Sequence, residues 1–261
     1  MRIEADRSPA AVNTVRREYA HPPAVEVVID LRVTPTRKFK PRLLDPLIKA
    51  ESKRYPQVAQ TFSVELSGKF THPGVSGTTE AKREHIGYRI EAPGRTHVIQ
   101  LQQEGFTFSR LQPYIGWEAT IAEARRVWKH YEQLANPLQV NRLGVRYINR
   151  LDIPLPAGDI SRYLLTAPAL AANIPQQISG YAMELQLPQP DLPKTTAVMR
   201  QGLTPPPRDN VLSIILDIDV FKAVEFPASY AGIWNEFETL HRRENFLFES
   251  TITDTVRELL S

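Results

Sequence analysis

The chain has no cysteine, and that one absence removes a disulfide framework, thiolate metal ligation and a cysteine nucleophile together. No apolar run approaches the ~18 residues that a membrane-spanning helix needs. The N-terminus lacks the apolar core of a signal peptide. A cytoplasmic location with no membrane partner is therefore expected. Gly-x-Ser-x-Gly, Gly-x-Gly-x-x-Gly and the phosphate-loop pattern are all missing, and Gly68-Lys69-Phe70-Thr71 lacks the earlier glycine of the last of these. The six histidines (His21, His72, His85, His97, His130, His241) include no pair at ligand spacing. No cofactor is expected, and an enzymatic role is not the favoured reading.

Proline, by contrast, is plentiful: 22 residues, clustered at Pro22-Pro23, between Pro188 and Pro193, and at Pro205 to Pro207. Proline fixes φ and cannot donate to a ladder, so these clusters mark joints between elements. At 261 residues, 42% apolar and 23% charged, the chain can bury a substantial core as one large or two small domains. The net charge of +3 is mild but uneven. Arg32, Arg37, Lys38, Lys40, Arg42, Lys49, Lys53 and Arg54 face only Asp45 and Glu51 over one short segment. Such a run attracts phosphate or an acidic partner at long range, or simply forms a solvated loop and outer helix face.

An internal repeat organises the whole. Val25 to Val33 and Leu143 to Leu151 are similar strand-like runs, and each half closes on a long helix near Tyr-x-Gly, at Tyr114 to Gly116 and Tyr230 to Gly232. Residues 1–20 read as a loose leader, 21–137 as the first half and 138–261 as the second, the two forming one structural unit. Alternating apolar residues predict strands at 25–33, 60–67, 85–91, 96–103, 105–110, 141–152, 178–187, 195–201 and 210–219. Helical spacing predicts helices over 44–54, 117–135, 159–165, from about 229 onward, and over 253–260 with Thr253 at the N-cap. Residues 71–84 read as a polar hairpin tip. The expected fold is α+β: two β-α-β-β-β-(β)-α halves, an antiparallel curved sheet, and long helices on one face. By analogy it resembles a helix-grip or TATA-binding-protein-like saddle, which carries no function by itself.

The sharpest chemical pattern lies on the strand 141–152. Leu143, Val145, Tyr147 and Leu151 point one way, while Arg142, Arg146 and Arg150 point the other, about 13 Å apart per step. Three guanidiniums in a row can contact successive phosphates or form a ladder with internal acids. If the opening strands of the two halves pair, Glu26 and Asp30 come near Arg142 and Arg146, and Asp217 and Asp219 share one face of a later strand. The last two are weak candidates for a divalent ion, since two carboxylates alone make a poor site. Tyr88, Phe106, Phe108 and Tyr181 can stack bases on an open sheet face or line the core under the helices. His130 and His241 fall in the two long helices, where packing or capping is the expected role.

Four blocks carry a family resemblance: Tyr19-Ala-His-Pro-Pro-Ala-Val-Glu-Val-Val28, Arg142-Leu-Gly-Val-Arg-Tyr-Ile-Asn-Arg150, Leu216-Asp-Ile-Asp-Val220 and Glu244-Asn-Phe-Leu-Phe-Glu-Ser-Thr-Ile-Thr-Asp254. They resemble, in order, the signature blocks of a bacterial family of unknown function catalogued as "sporadically distributed". The resemblance implies a single full-length unit in a bacterial or mobile-element setting, and no activity, cofactor or catalytic residue. Within these blocks Asn149 lies on the apolar side of its strand, where an unpaired polar group costs about 1–3 kcal/mol. Asn149, and Asn245 beside Glu244, read as fold-specifying first and ligand contacts second. The leading expectation is a non-enzymatic cytoplasmic module that binds a protein partner through the segment bearing Lys38, Lys40, Arg42, Lys49, Lys53 and Arg54. The family's scattered occurrence suggests a defence or toxin-control setting. The alternative is a nucleic-acid-binding saddle using Arg142, Arg146 and Arg150, and last comes a metal-dependent enzyme at Asp217 and Asp219. The pattern names neither the partner nor an oligomeric state.

Overall fold

The computed structural model describes residues 17–36, 39–69 and 78–261. Nine antiparallel strands form one sheet: β1 (Ala24–Thr34), β2 (Gln57–Lys69), β3 (Thr78–Glu91), β4 (His97–Gln102), β5 (Gly105–Leu111), β6 (Gln139–Pro154), β7 (Ala182–Pro188), β8 (Thr195–Thr204) and β9 (Val211–Phe226). Their spatial order is β2-β3-β4-β5-β1-β6-β9-β8-β7. The helices are α1 (Asp45–Glu51), α2 (Trp117–Ala135), α3 (Ile233–Thr251) and α4 (Asp254–Leu260). The chain is thus α+β. Among the described residues no helix is long and apolar enough to cross a membrane.

The two-residue period of β1 and β6 decides which side of the sheet becomes the core. Val27, Ile29, Leu31 and Val33 are buried on one face of β1, as are Leu143, Val145, Tyr147, Leu151 and Ile153 on β6. The two strands pair with Ile29 opposite Val145 and Leu31 opposite Leu143, so their apolar faces coincide. The long helices α2 and α3 cover that face. Phe106 and Phe108 of β5 are fully buried, with the Phe106 ring 5.7 Å from Trp128 and 6.0 Å from Tyr131 of α2. On the same face, over β6 and β9, Phe237, Leu240 and Phe248 of α3 pack down at helical spacing.

Both long helices begin at the residue after a glycine, Gly116 and Gly232. Gly116 has φ 112°, a conformation that favours glycine. Helix α2 ends at Asn136, a left-handed C-cap (φ 43°) that donates to the Glu132 carbonyl ahead of Pro137. The predicted helix 44–54 is shorter. It opens as a 3-10 turn (Pro41–Leu44) and continues as α1, with proline in the first turn of each, where the missing N–H has no partner to lose. The helix expected over 159–165 is only a 3-10 turn, Ile160–Arg162, started by the Asp159 carboxylate accepting from the Ser161 N–H. Strand β9 runs to Phe226, past the expected 219, because β6 and β8 give it partners along its length. Strand β7 starts only at Ala182, and α3 only at Ile233. Thr253 occupies the N-cap of α4 with extended backbone, but its hydroxyl donates to the Arg162 carbonyl at 2.6 Å instead of capping the helix. Of the polar tip at 71–84, residues from Thr78 onward belong to β3, and residues 70–77 lie outside the described residues.

Truncating Phe106 to alanine is expected to cost about 3–5 kcal/mol, because the ring is enclosed by Trp128, Tyr131 and the sheet. The exposed Ile115 should tolerate the same change within about 0.5 kcal/mol. Urea unfolding of both variants checks the difference.

Candidate functional site

The sheet face away from the helices carries the three arginines of β6, and each meets a carboxylate. Arg142 donates to Asp30 at 2.6 Å and to Asp219 at 3.1 Å, and its guanidinium lies 4.4 Å from the centre of the Phe221 ring. Arg146 grips Asp217 through two bonds of 2.7 and 2.6 Å, the fork geometry that suits a guanidinium. Arg150 reaches Asp152 at 3.3 Å. Arg200, from β8, donates to Glu184 at 2.6 Å and stands 3.7 Å from Asp217. The pairing follows from register: Arg146 lies opposite Asp219 and next to Asp217, while Asp30 lies opposite Gly144, beside Arg142. Gly144 leaves room for this, since a β-carbon there would come within 2.8 Å of the Arg142 guanidinium. Burial pushes the Asp219 carboxyl up, against the lowering influence of Arg142 and Arg146. Asp217 is buried, and hydrogen bonding to it holds Arg146 more firmly charged. Asp217 and Asp219 therefore already have cationic partners. Among the described residues no group of three or more His, Asp or Glu is placed to hold a metal ion.

Phe221 lies on this face, against Arg142, but the sheet aromatics expected to stack bases do not line it. Tyr88, Phe106 and Phe108 have the opposite parity and lie under the helices, with the Tyr88 hydroxyl donating to Asp45 at 2.5 Å. Tyr181 precedes β7 and is half-buried.

The basic segment forms a corner at α1. Lys38, with Arg37, lies outside the described residues. Lys40, Arg42, Lys49, Lys53 and Arg54 are exposed. Of the two acids in this segment Asp45 is exposed and Glu51 turns inward. Glu51 is buried and accepts two bonds from Arg126, at 2.6 and 2.8 Å, with His130 3.2 Å away. Glu123 is also held by Arg126, by Tyr55 at 2.7 Å and, at the margin, by Arg54 at 3.4 Å. Arg126, then the Tyr55 hydroxyl, bring the Glu123 carboxyl down to about 2.

A cavity of about 650 Å³ opens on the helix side, at the end of the sheet where the chain enters β1. Its walls come from Tyr19 and Pro23, the start of α2 at Trp117, Tyr147 and Asn149 of β6, and His241, Glu244, Asn245 and Phe248 of α3. One side is tied together. The His241 ring stacks on Trp117 at 4.1 Å and 11°, and its Nδ1 is 3.2 Å from the Tyr147 hydroxyl. Its Nε2 is 3.0 Å from the Asn245 amide, and the Tyr114 and Tyr147 hydroxyls are 2.9 Å apart. Trp117 Nε1 donates to Glu238 at 2.9 Å. The other side is not satisfied. Glu244 is 1% exposed and Asn149 is 3% exposed, and among the described residues neither Glu244 Oε1 nor Asn149 Nδ2 has a hydrogen-bond partner. Burial pushes the Glu244 carboxyl well above its ordinary range, which favours its uncharged form. Buried polar atoms without partners are rare in folded proteins and call for a reason.

Parity placed Asn149 on the apolar side of β6, and it lies there. The sequence alone assigns Glu244 no role. The signal was present: it follows Phe237 and Leu240 and precedes Phe248 at helical spacing, so it falls on the buried stripe of α3. The convergence of residues 149 and 244 into one cavity has no sequence signature. Comparison of the chain with protein-family models and with curated proteins finds no match.

Two outcomes follow from these environments. The unfolded chain ionises Glu244 first, at an ordinary carboxyl value of about 4.3, so this residue makes the folded state lose ground as pH rises above that value until the folded carboxyl itself ionises. Glu244→Gln should therefore raise the Tm at pH 7–8 and have little effect near pH 4, as thermal melts across that range would show. Arg146→Met should cost about 2–3 kcal/mol, less than the loss of a fully buried partner because the Arg146 side chain is 39% exposed. The double change Arg146→Met, Asp217→Leu should recover most of it, as read by a double-mutant cycle.

Proposed function

We propose that the chain is a non-enzymatic binding module whose recognition site is the cavity between α3 and the β1–β6 end of the sheet. The observation that carries this reading is the pair of buried, unpartnered polar atoms, Glu244 Oε1 and Asn149 Nδ2, on the wall of one cavity of ligand size. A buried carboxyl and an amide are groups that orient a ligand. The one hydroxyl–imidazole contact described at the site, Tyr147 to His241, has its ring stacked on Trp117 and tied to Asn245, and the Asp217 and Asp219 carboxylates that a metal-dependent reaction would use are engaged by arginines. The nucleic-acid reading draws little support from the arginine face, where Arg142, Arg146 and Arg150 meet Asp30, Asp217, Asp219 and Asp152.

The module consists, in this proposal, of two related halves. Each half pairs its first strand with its last, β1 with β5 and β6 with β9, and the remaining strands run outward from there. Each long helix starts after a Tyr-x-Gly. This arrangement supports the repeat and a saddle-like plan. We further propose membership of the "sporadically distributed" bacterial family, with a cytoplasmic, defence or toxin-control setting, on the four sequence blocks given above. A protein partner is the second element. Lys40, Arg42, Lys49, Lys53 and Arg54 project from one corner while Glu51 is turned inward onto Arg126, which leaves an outward positive field suited to an acidic protein surface.

Ligands of the cavity should raise the Tm, because a molecule that binds only the native state stabilises it. The shift should disappear in Asn149→Leu; a shift that persists there places the ligand elsewhere. For the corner, Lys40→Glu with Arg42→Glu should reduce capture of the cognate partner at about 0.1 M salt by tenfold or more, with the difference shrinking at high salt. Unchanged capture would remove the corner from the interface.

A further inference from the structure

The recognition site proposed above has a definite chemical selectivity, which follows from its two unpartnered atoms. Helix α3 and strand β6 run in the same sense. Glu236 of α3 bonds Lys222, which lies opposite Leu143, and His241, five residues on, bonds Tyr147, four residues on. The next steps along the two elements bring Glu244 and Asn149 into the same stretch of the cavity wall, and both line it. Asn149 Nδ2 offers a donor that lacks an acceptor. Glu244 presents a carboxyl oxygen that lacks a partner in a buried place. The Phe248, Tyr19 and Pro23 side chains supply the surrounding apolar surface.

We propose that this cavity binds an uncharged small molecule through an amide edge, the ligand carbonyl accepting from Asn149 and the ligand N–H donating to Glu244. An amide satisfies both atoms at once and brings no charge into a buried site. An anion could accept from Asn149 but would bring a charge into a buried site whose rim carries Glu118 and Glu238 as well as Arg17 and Arg242, and burying that charge costs far more than burying an amide. A cation could meet Glu244 but would leave the Asn149 donor unpaired, and a buried donor without an acceptor is costly. A site that hydrogen-bonds its ligand rejects analogues lacking the matching group, because its own polar atoms are then left bare.

The proposal rests on the cavity reading, and three near-isosteric probes separate the two: benzamide, benzoate and benzylammonium, titrated against the full chain by saturation-transfer NMR with calorimetry. Benzamide should bind at least about tenfold tighter than either charged probe. Glu244→Leu and Asn149→Leu should each lose at least about tenfold in benzamide affinity while keeping or raising the Tm, since each removes a buried group with an unpartnered atom. Preference for benzylammonium or benzoate, lost in the same variants, would overturn the amide assignment and leave the cavity a ligand site. Equal binding of all three, benzamide affinity unmoved by both variants, or a lower Tm in both variants would overturn the assignment as well. No binding of any probe at about 10 mM, where even weak fragments register, would overturn both the amide assignment and the cavity reading.

Discussion

Because β1 and β6 pair antiparallel at the middle of the sheet, with apolar faces in register, the side-chain parity of every neighbouring strand is set outward from that pair. A slip of one residue between them would put Arg142 and Arg146 under the helices and Val145 and Tyr147 in solvent. The penalty for burying unpaired guanidiniums makes that alternative inaccessible. With the register held, β5 and β9 dock on the two sides, and α2 and α3 have one continuous apolar surface to cover.

The two faces that result handle polarity in opposite ways. On the outer face, arginines and aspartates alternate across strands, so that charge is neutralised locally, as with the fork between Arg146 and Asp217. On the helix face the polar groups are few and most have a partner. Tyr131 donates to the Gln102 carbonyl, and Thr251 bonds the Leu247 carbonyl. Asn149 and Glu244 break the rule where the sheet end, the α2 start and α3 fail to close on one another. Burial favours the uncharged form of Glu244, which avoids the larger cost of a buried charge. What remains unpaired is a cost to folding that binding can offset, and stability is commonly given up at functional sites in this way.

Much of this was legible in advance, and the reason differs by element. Helix α2 has the limits its sequence predicts because a glycine before it, an unbroken apolar stripe and Asn136-Pro137 after it all act locally. The β6 arginines could be placed on the face opposite Tyr147 from a period of two alone, and the ladder followed once β1 was its neighbour. Shorter pieces were less legible. The region 159–165 carries apolar residues at helical spacing, yet it closes only one 3-10 turn, and Leu164, just after that turn, bridges to Ile252. Thr253 has the right residue type for a cap and spends its hydroxyl on another loop.

By itself the sequence determined the class, the central strands with their inner and outer faces, the two long helices and the buried position of Asn149. These depend on periodicity and on end signals a few residues long. Only the tertiary structure decided that Glu244, 95 residues beyond Asn149, shares its cavity, that Tyr88, Phe106 and Phe108 lie beneath helices, and that the outer arginines are matched by acids. Those outcomes depend on which strands become neighbours and how α3 crosses them, and distance in space between such residues leaves no trace in their spacing along the chain.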